Sequence, residues 1–298
     1  MKKILLNFIN PFKLFKAYRY HKQNAKFDKS SYDLELSFYS KILKNDMLHW
    51  GYFDDIHIPA ESISVKQVED AQVKYAENII AQIVNREEPV LDVGCGMGGL
   101  SKLIHQKGFD VEALTPNSNQ KDYFNIKHTE IICHHCKFED LRTDKKFGTV
   151  INSESLQYIA LDKAFENAEK ILFPGGRWII TDYFRMKNDG INRSSHLLDD
   201  FLKSVEQHRW KIVYQQDITL NVLPTARLVF MYAQRFLLPV KDLALEKLRY
   251  KKGWLYYLIG DLRDSISKKI TKELAAVDPE KFIAEKKYML FVLEKVKG

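Results

Sequence analysis

The sequence predicts an α/β fold: a parallel sheet with helices on both faces, a helical cap in front of it, and a helical insertion before its last strand. Three observations predict it. Short apolar runs alternate with stretches of helical periodicity between residues 89 and 182. The first of these runs opens straight into a glycine-rich turn. A long helical stretch, 223–285, then precedes a last apolar run at 288–294. Strands separated by helices need crossover connections, which make neighbouring strands parallel and cover both faces of the sheet.

The elements follow in order. In 61–84, Val65, Val68, Ala71, Val73, Ala76, Ile79, Ile80 and Ile83 recur near helical spacing, which reads as a helix. Strands are expected at 90–93, 110–114, 131–134, 149–153 and 178–182, with helices at 100–106, 119–126 and 161–171 between them. Phe173-Pro174-Gly175-Gly176 reads as a turn. A polar loop and a helix follow at 186–206, then a strand at 210–219. The chain divides into a cap (1–60), a sheet-bearing core (61–222), and an insertion with the last strand (223–298).

Composition narrows the function. With 298 residues, 45% hydrophobic and 29% charged, the chain is long enough for one large globular domain. A net charge of +7 permits contact with nucleic acid or an anionic membrane but does not require it. Three cysteines, Cys95, Cys133 and Cys136, fit a reducing cytoplasm better than a disulfide framework. No apolar run reaches the ~20 residues that span a bilayer. Residues 1–22 mix Ile4, Leu5, Phe8, Phe12 and Phe15 with Lys2, Lys3, Lys13, Lys16, Arg19 and Lys22. Such a basic amphipathic segment suits peripheral contact with the inner membrane surface, or packing on the protein's own body. Cys133-His134-His135-Cys136 invites a zinc reading, but on a strand alternate side chains face opposite ways, so no metal is expected.

The strongest local signal is Val90-Leu91-Asp92-Val93-Gly94-Cys95-Gly96-Met97-Gly98-Gly99. Glycine allows a tight turn and lets a ligand reach the backbone over the carboxyl end of a strand. The string fits two ligands. Gly94, Gly96 and Gly99 satisfy the dinucleotide pattern, with Glu112 about where a ribose-binding acid would stand, which leaves an NAD(P)-dependent oxidoreductase open. Asp92 stands two residues before the first glycine, as it does in methyltransferases, and this resemblance, which the long cap and the later motifs share, favours S-adenosyl-L-methionine.

Those motifs are Leu114-Thr115-Pro116-Asn117-Ser118-Asn119-Gln120, Phe138-Glu139-Asp140-Leu141 and Asn152-Ser153-Glu154-Ser155-Leu156-Gln157-Tyr158, with Met47-Leu48-His49-Trp50-Gly51-Tyr52-Phe53 upstream. From about 32 to 221 the chain resembles the class I S-adenosylmethionine-dependent methyltransferases, which have a Rossmann-like sheet. Within them it resembles the branch of cyclopropane fatty acid and mycolic acid synthases, sterol and tocopherol C-methyltransferases, and small-molecule and sugar O-methyltransferases. The resemblance implies cofactor contacts from Asp92, Gly94, Gly96, Thr115, Pro116, Gln120 and Ser153, and from Tyr32 and His49 of the cap. It implies that Phe138 stacks on the adenine and Glu139 accepts from its amino group. Gln157 stands where cyclopropane synthases carry a glutamate, which argues against cyclopropanation.

Methyl transfer is an in-line displacement at a sulfonium carbon, so the protein must align the acceptor and exclude water. A hydroxyl acceptor needs a base, whereas an alkene or ring carbon needs cation stabilisation by acids and aromatics. Candidate bases or acceptor contacts are His49, Glu154, Tyr158 and His196. The expected function is methylation of a small, hydrophobic acceptor, such as a lipid-like molecule, on carbon or oxygen. A non-catalytic S-adenosylmethionine-binding protein is the other alternative. Large helical insertions favour an enclosed pocket, so no nucleic-acid partner is expected. The basic, aromatic stretch 248–270 suits core, acceptor pocket or membrane face.

Overall fold

The computed structural model describes residues 10–24, 46–188 and 195–295. Helix α1 (Pro11–Asn24) and helix α2 (Val65–Ile80) precede the sheet. The core then runs β1 (Val90–Val93), α3 (Gly99–Gln106), β2 (Val111–Thr115), α4 (Ser118–Lys127), β3 (Ile132–His135), β4 (Phe147–Ser153), α5 (Leu161–Ile171), β5 (Leu172–Arg185), α6 (Leu198–Gln207) and β6 (Trp210–Asp217). Helices α7 (Thr219–Tyr232), α8 (Leu238–Lys251), α9 (Gly253–Leu258), α10 (Gly260–Ala276) and α11 (Pro279–Glu285) lead to β7 (Lys286–Lys295). The seven strands lie in the order β3-β2-β1-β4-β5-β7-β6. All neighbours are parallel except β7, which is antiparallel to both β5 and β6. This is the expected fold, with the helical insertion immediately before the last strand. The segment 173–176, expected as a turn, is instead the start of a long β5, although Gly175 keeps a left-handed φ of 84°.

Alternation along the strands builds two cores. Val90, Ile151, Ile179, Leu290 and Val292 face one way, against Ile79 of α2, Leu100 and Ile104 of α3, and Val222 and Leu223 of α7. Leu91, Val93, Val150, Trp178, Ile180, Phe291 and Leu293 face the other way, against Phe165 of α5 and Phe201 of α6. Trp178 packs edge-on against Phe165 and donates its indole N–H to Asn152 Oδ1 at 2.8 Å. Helix α2 starts with a capping box, in which Ser64 and Gln67 satisfy each other's backbone N–H groups.

The antiparallel β7 matters for function. Its first residues reach the same edge of the sheet as the carboxyl ends of the parallel strands. Tyr288 pairs with Tyr183, and Lys286 with Arg185. The carboxyl ends of β1, β2, β4 and β5 and the start of β7 therefore meet on one edge, where doubly wound sheets bind ligands.

Candidate active site

The glycine loop sits at this edge. Gly94, Gly96 and Gly98 have φ of 78°, 58° and 91°, which only glycine adopts readily. A Cβ on Gly94 would lie 2.4 Å from Ser155 Cβ. Ser155 is fixed there, since its hydroxyl donates to Val93 O at 2.6 Å and accepts from Asn152 Nδ2 at 2.8 Å. Residues 46–50 lie across the loop: Gly99 N–H donates to Asp46 O, and Gln72 Nε2 donates to Met47 O and His49 O. A Cβ on Gly96 would meet Leu48 at 3.2 Å.

Asp92 is buried beneath the loop and accepts from Ser101 Oγ at 2.5 Å. Burial pushes its carboxyl up to about 6 against the pull of that hydroxyl. Here Asp92 ties β1 to α3. At the end of β2, Thr115 Oγ1 donates to Gln120 Oε1 at 2.5 Å, so the two motif residues come together; Pro116 begins the turn, and its carbonyl lies 3.2 Å from His135 Nε2. Asn117 caps α4 by accepting from Asn119 and Gln120 N–H.

Glu112, the acid the oxidoreductase reading needs, stands early in β2 rather than at its carboxyl end. It is engaged by Lys145 at 2.7 Å and His134 at 2.6 Å. The strand-end position belongs to Thr115, so the geometry withdraws the chief support for a dinucleotide. On β3, Cys133 is buried while His134 turns to Glu112 and His135 to Pro116 O.

Around the ends of β4, β5 and β7 a buried acid meets aromatic rings. Glu154 adopts φ 51°, a left-handed conformation uncommon outside glycine that costs about 1–3 kcal/mol, and its N–H donates to Thr181 O. Its Oε1 accepts from Tyr288 Oη at 2.5 Å and from Trp50 N at 2.9 Å. Burial outweighs these two donors and lifts Glu154 up to about 7. Tyr288 Oη also lies 3.0 Å from Tyr75 Oη, which is 3.3 Å from Ser153 Oγ. Trp50 stacks on Phe282 with centroids 5.0 Å apart, and Tyr183 lies 6.3 Å from Tyr288. Asp182, buried next to this group, accepts from Gln157 N and Tyr183 N, yet burial pushes it up to about 8. Lys286 is buried with its ammonium 4.3 Å from the Tyr183 ring centroid.

His49 belongs to the same group. Its ring stacks on Tyr75 at 4.1 Å, and its Nδ1 lies 2.9 Å from Trp50 O. A carbonyl only accepts, so the proton is on Nδ1 and Nε2 carries a bare lone pair. That Nε2 is buried and has no partner among the described residues. Burial holds His49 down to about 4, so it is neutral at ordinary pH. Thr181 Oγ1 and Gln157 Oε1 are likewise buried without partners among the described residues.

The remaining expected residues lie elsewhere. Tyr158, in the turn after β4, is 77% exposed. His196 Nε2 sits 3.0 Å from Leu156 O and 2.9 Å from Ile159 O. It must donate to those carbonyls, so it pins the turn Leu156–Tyr158 and has no lone pair there for a base. Phe138 is fully buried in the second core, where no ring face is open to stack on adenine. Glu139 is half-buried beside it. Tyr32 lies outside the described residues. Trp50, Tyr75, Asp182, Lys286 and Tyr288 were not expected. Tyr75 and Gln72 are the two polar side chains on the buried face of α2, and that is the one signal visible in the sequence. Tyr75 and Tyr288 are 213 positions apart in sequence, and no motif links them.

The Tyr288–Glu154 bond yields a prediction. Tyr288→Phe removes a donor that stabilises the Glu154 carboxylate, so the acid limb of the pH–rate profile should move above pH 7. Activity at neutral pH should then fall about tenfold if the carboxylate form is the active one. A profile with an unmoved limb would separate Tyr288 from the titration.

The chain is similar to known proteins in sequence and in fold. The family described as "Methyltransferase domain" matches residues 91–180, from the glycine strand into β5. Residues 91–180 carry a methyltransferase domain. Among curated proteins it is similar to geranyl diphosphate 2-C-methyltransferase of Streptomyces coelicolor, 30% identical over 121 residues, covering 38% of this chain and 41% of that protein. Sterol 4-C-methyltransferase of Caenorhabditis elegans is 29% identical over 118 residues, covering 36% and 34%. The matched region thus spans about two fifths or less of those relatives' length. Among solved structures, geranyl diphosphate C-methyltransferase from Streptomyces coelicolor with Mg2+, geranyl diphosphate and S-adenosyl-L-homocysteine superposes at TM-score 0.65 and 16% identity, over 90% of this chain and 95% of that one. A cyclopropane synthase from Mycobacterium tuberculosis does so at 0.64 and 14%, over 90% and 96%. At these identities the likeness is one of fold.

Proposed function

We propose that the chain is an S-adenosylmethionine-dependent methyltransferase that places a methyl group on carbon of a small, hydrophobic acceptor. One observation carries the preference for carbon: a buried carboxyl, Glu154, set among Trp50, Tyr288, Tyr183 and Phe282. Methylating an alkene or an electron-rich ring leaves a cation, and aromatic faces and a buried carboxylate are what stabilise one. The same carboxylate can then take up the departing proton. The two curated relatives described above are named for transfer to carbon, one on geranyl diphosphate and one on a sterol.

The cofactor reading rests on the loop and the unpartnered groups around it. Gly94 and Gly96 leave room that a Cβ would fill, Thr115 and Gln120 stand ready for ribose hydroxyls, and His49 Nε2 offers a lone pair. S-adenosylmethionine supplies an electrophilic methyl group when bound. Residues 46–50 cover the loop and exclude water, and Glu154 and its aromatic neighbours hold the acceptor. Asp92, Ser153, Pro116 and Glu139 complete the set in this reading. No helix among the described residues is long and apolar enough to cross a membrane. The described part of the basic N-terminal segment, α1, leaves Phe12, Phe15, Tyr18 and Tyr20 exposed, which supports peripheral contact there over packing on the body.

The test is methyl-labelled S-adenosylmethionine with a panel of acceptors: prenyl alcohols and diphosphates, sterols, and phenols. Product NMR should place the new methyl on carbon of an unsaturated apolar acceptor. Products methylated only on oxygen would overturn the preference for carbon. Reduction of an acceptor with NAD(P)H and no methyl transfer would overturn the whole reading.

A further inference from the structure

Helix α7, the π-turn Ala233–Leu237 and α8 form one unbroken helical run from Thr219 to Lys251. At ~1.5 Å per residue this is roughly 50 Å long. Its first half is anchored, with Val222, Leu223, Ala226 and Leu228 buried. Its second half is not. Neither α8 nor α9 has a buried residue, and after Ala233 the next buried one among the described residues is Phe282. An apolar groove of about 220 Å³ lies between the two long helices of this arm, lined by Leu245 of α8 and by Leu262 and Ile266 of α10.

The arm exposes apolar side chains in order. Phe236 of the π-turn and Val240, Leu243 and Tyr250 of α8 are exposed at helical spacing, and Leu258 of α9 with Leu262 and Ile266 of α10 are exposed at every fourth residue. Exposed apolar side chains gathered into a stripe mark a contact surface. Its charge is one-sided. Residues 238–276 hold nine Lys or Arg against five Asp or Glu, more than half of the whole chain's excess of +7. At the tip, Arg249-Tyr250-Lys251-Lys252-Gly253-Trp254-Leu255-Tyr256-Tyr257-Leu258 contains no acid at all. Tyr250 is 94% exposed and Tyr257 83%. Of the readings open for this stretch, core packing is therefore removed.

We infer that the tip of this helical arm docks on an anionic lipid bilayer. Tyr and Trp settle at the headgroup level, Leu and Ile reach the acyl boundary, and Lys stems extend their ammonium groups to lipid phosphates. Protein interfaces are depleted of Lys, and a nucleic-acid groove has no use for a Val, Leu and Ile stripe. The inference is independent of methyl transfer. It concerns an arm that the methyltransferase domain match, residues 91–180, does not include.

The test uses the full chain with sedimenting vesicles, equimolar phosphatidylglycerol and phosphatidylcholine against phosphatidylcholine alone. Binding should require the anionic lipid and weaken with salt. Each basic residue near such a surface contributes about fivefold, so Lys251→Glu with Lys252→Glu should cut partitioning by at least about tenfold. Tyr250→Ser with Tyr257→Ser should reduce it as well, with the melting temperature unchanged because neither pair is buried. Brominated lipids should quench tryptophan emission in the wild type, and much less in Trp254→Phe. Binding untouched by both double variants but lost on deleting residues 1–22 would overturn the inference in favour of the N-terminus. A dimer in buffer that the tip variants dissociate, without vesicle binding, would overturn it in favour of self-association.

Discussion

Gly94→Ala should abolish binding of S-adenosyl-L-homocysteine, by more than about a hundredfold, in a protein that still folds. The two causes are separable. A non-glycine residue at φ 78° costs about 1–2 kcal/mol in backbone strain. The new methyl would also sit 2.4 Å from Ser155 Cβ, and Ser155 cannot yield without breaking its bonds to Val93 and Asn152. The loop must therefore shift, and with it the backbone surface that faces the cofactor. Gly175→Ala is the control. It has nearly the same φ, 84°, but nothing lies within 4 Å of the added Cβ. It should lose only the backbone cost and bind as the wild type does. Calorimetric titration of both variants decides the matter. Wild-type affinity in Gly94→Ala would remove the glycine loop from the cofactor site.

Glu154→Gln should lower kcat by about 10²–10³-fold with any acceptor the enzyme methylates, because it removes both the negative charge and the proton acceptor. The wild-type rate should fall about tenfold per pH unit below the Glu154 pKa of about 7, as the carboxylate is protonated. The residual rate of the glutamine variant should be flat over the same range. Stability should move the other way. A carboxyl whose folded pKa is raised binds its proton more tightly when folded, so stability is present in full below the unfolded value of 4.5. It is lost as pH rises toward about 7. That loss is at most about 3 kcal/mol. Glutamine keeps an oxygen to accept from Tyr288 and Trp50 but never ionises. The variant should therefore melt higher than the wild type at pH 8 and about equally at pH 4, while being far less active. A group that costs stability and supplies activity is the usual mark of a functional site. If the variant keeps full activity, Glu154 has no catalytic role.

The unexpected members of the site explain why Glu154 sits where it does. Its left-handed φ turns the side chain back over the end of β4, toward a tyrosine from the last strand and a backbone N–H from the cap. His49 and Glu154 are displaced in opposite directions by the same cause, burial without an ion-pair partner. Near neutral pH this leaves a neutral imidazole with a free lone pair beside a carboxyl poised between its two forms.

Much of the fold was determined by the sequence alone. Period-2 and period-3.6 apolar patterns are local, so the strands at 90–93 and 149–153 and the helix at 161–171 could be read within a residue or two. The glycine loop was legible for the same reason: a strand, a run of glycines and a helix start need only contiguous residues. Thr115 and Gln120, five residues apart across a strand–helix turn, were also close enough to be paired from sequence. Residue roles that depend on long-range contact were not legible. Nothing in their neighbourhoods distinguishes His196 and Tyr158 from His49 and Glu154. Only the tertiary structure shows the first histidine spent on backbone carbonyls, the tyrosine in solvent, and the second histidine buried with an open lone pair. Tyr75, Trp50 and Tyr288 reach Glu154 because an antiparallel last strand returns to the carboxyl edge of the sheet after the whole helical insertion, and no local pattern encodes where that return ends. The stretch 248–270 carried apolar and basic residues that fitted several environments equally well. Burial decided between them, because burial belongs to the packed chain and not to the order of its residues.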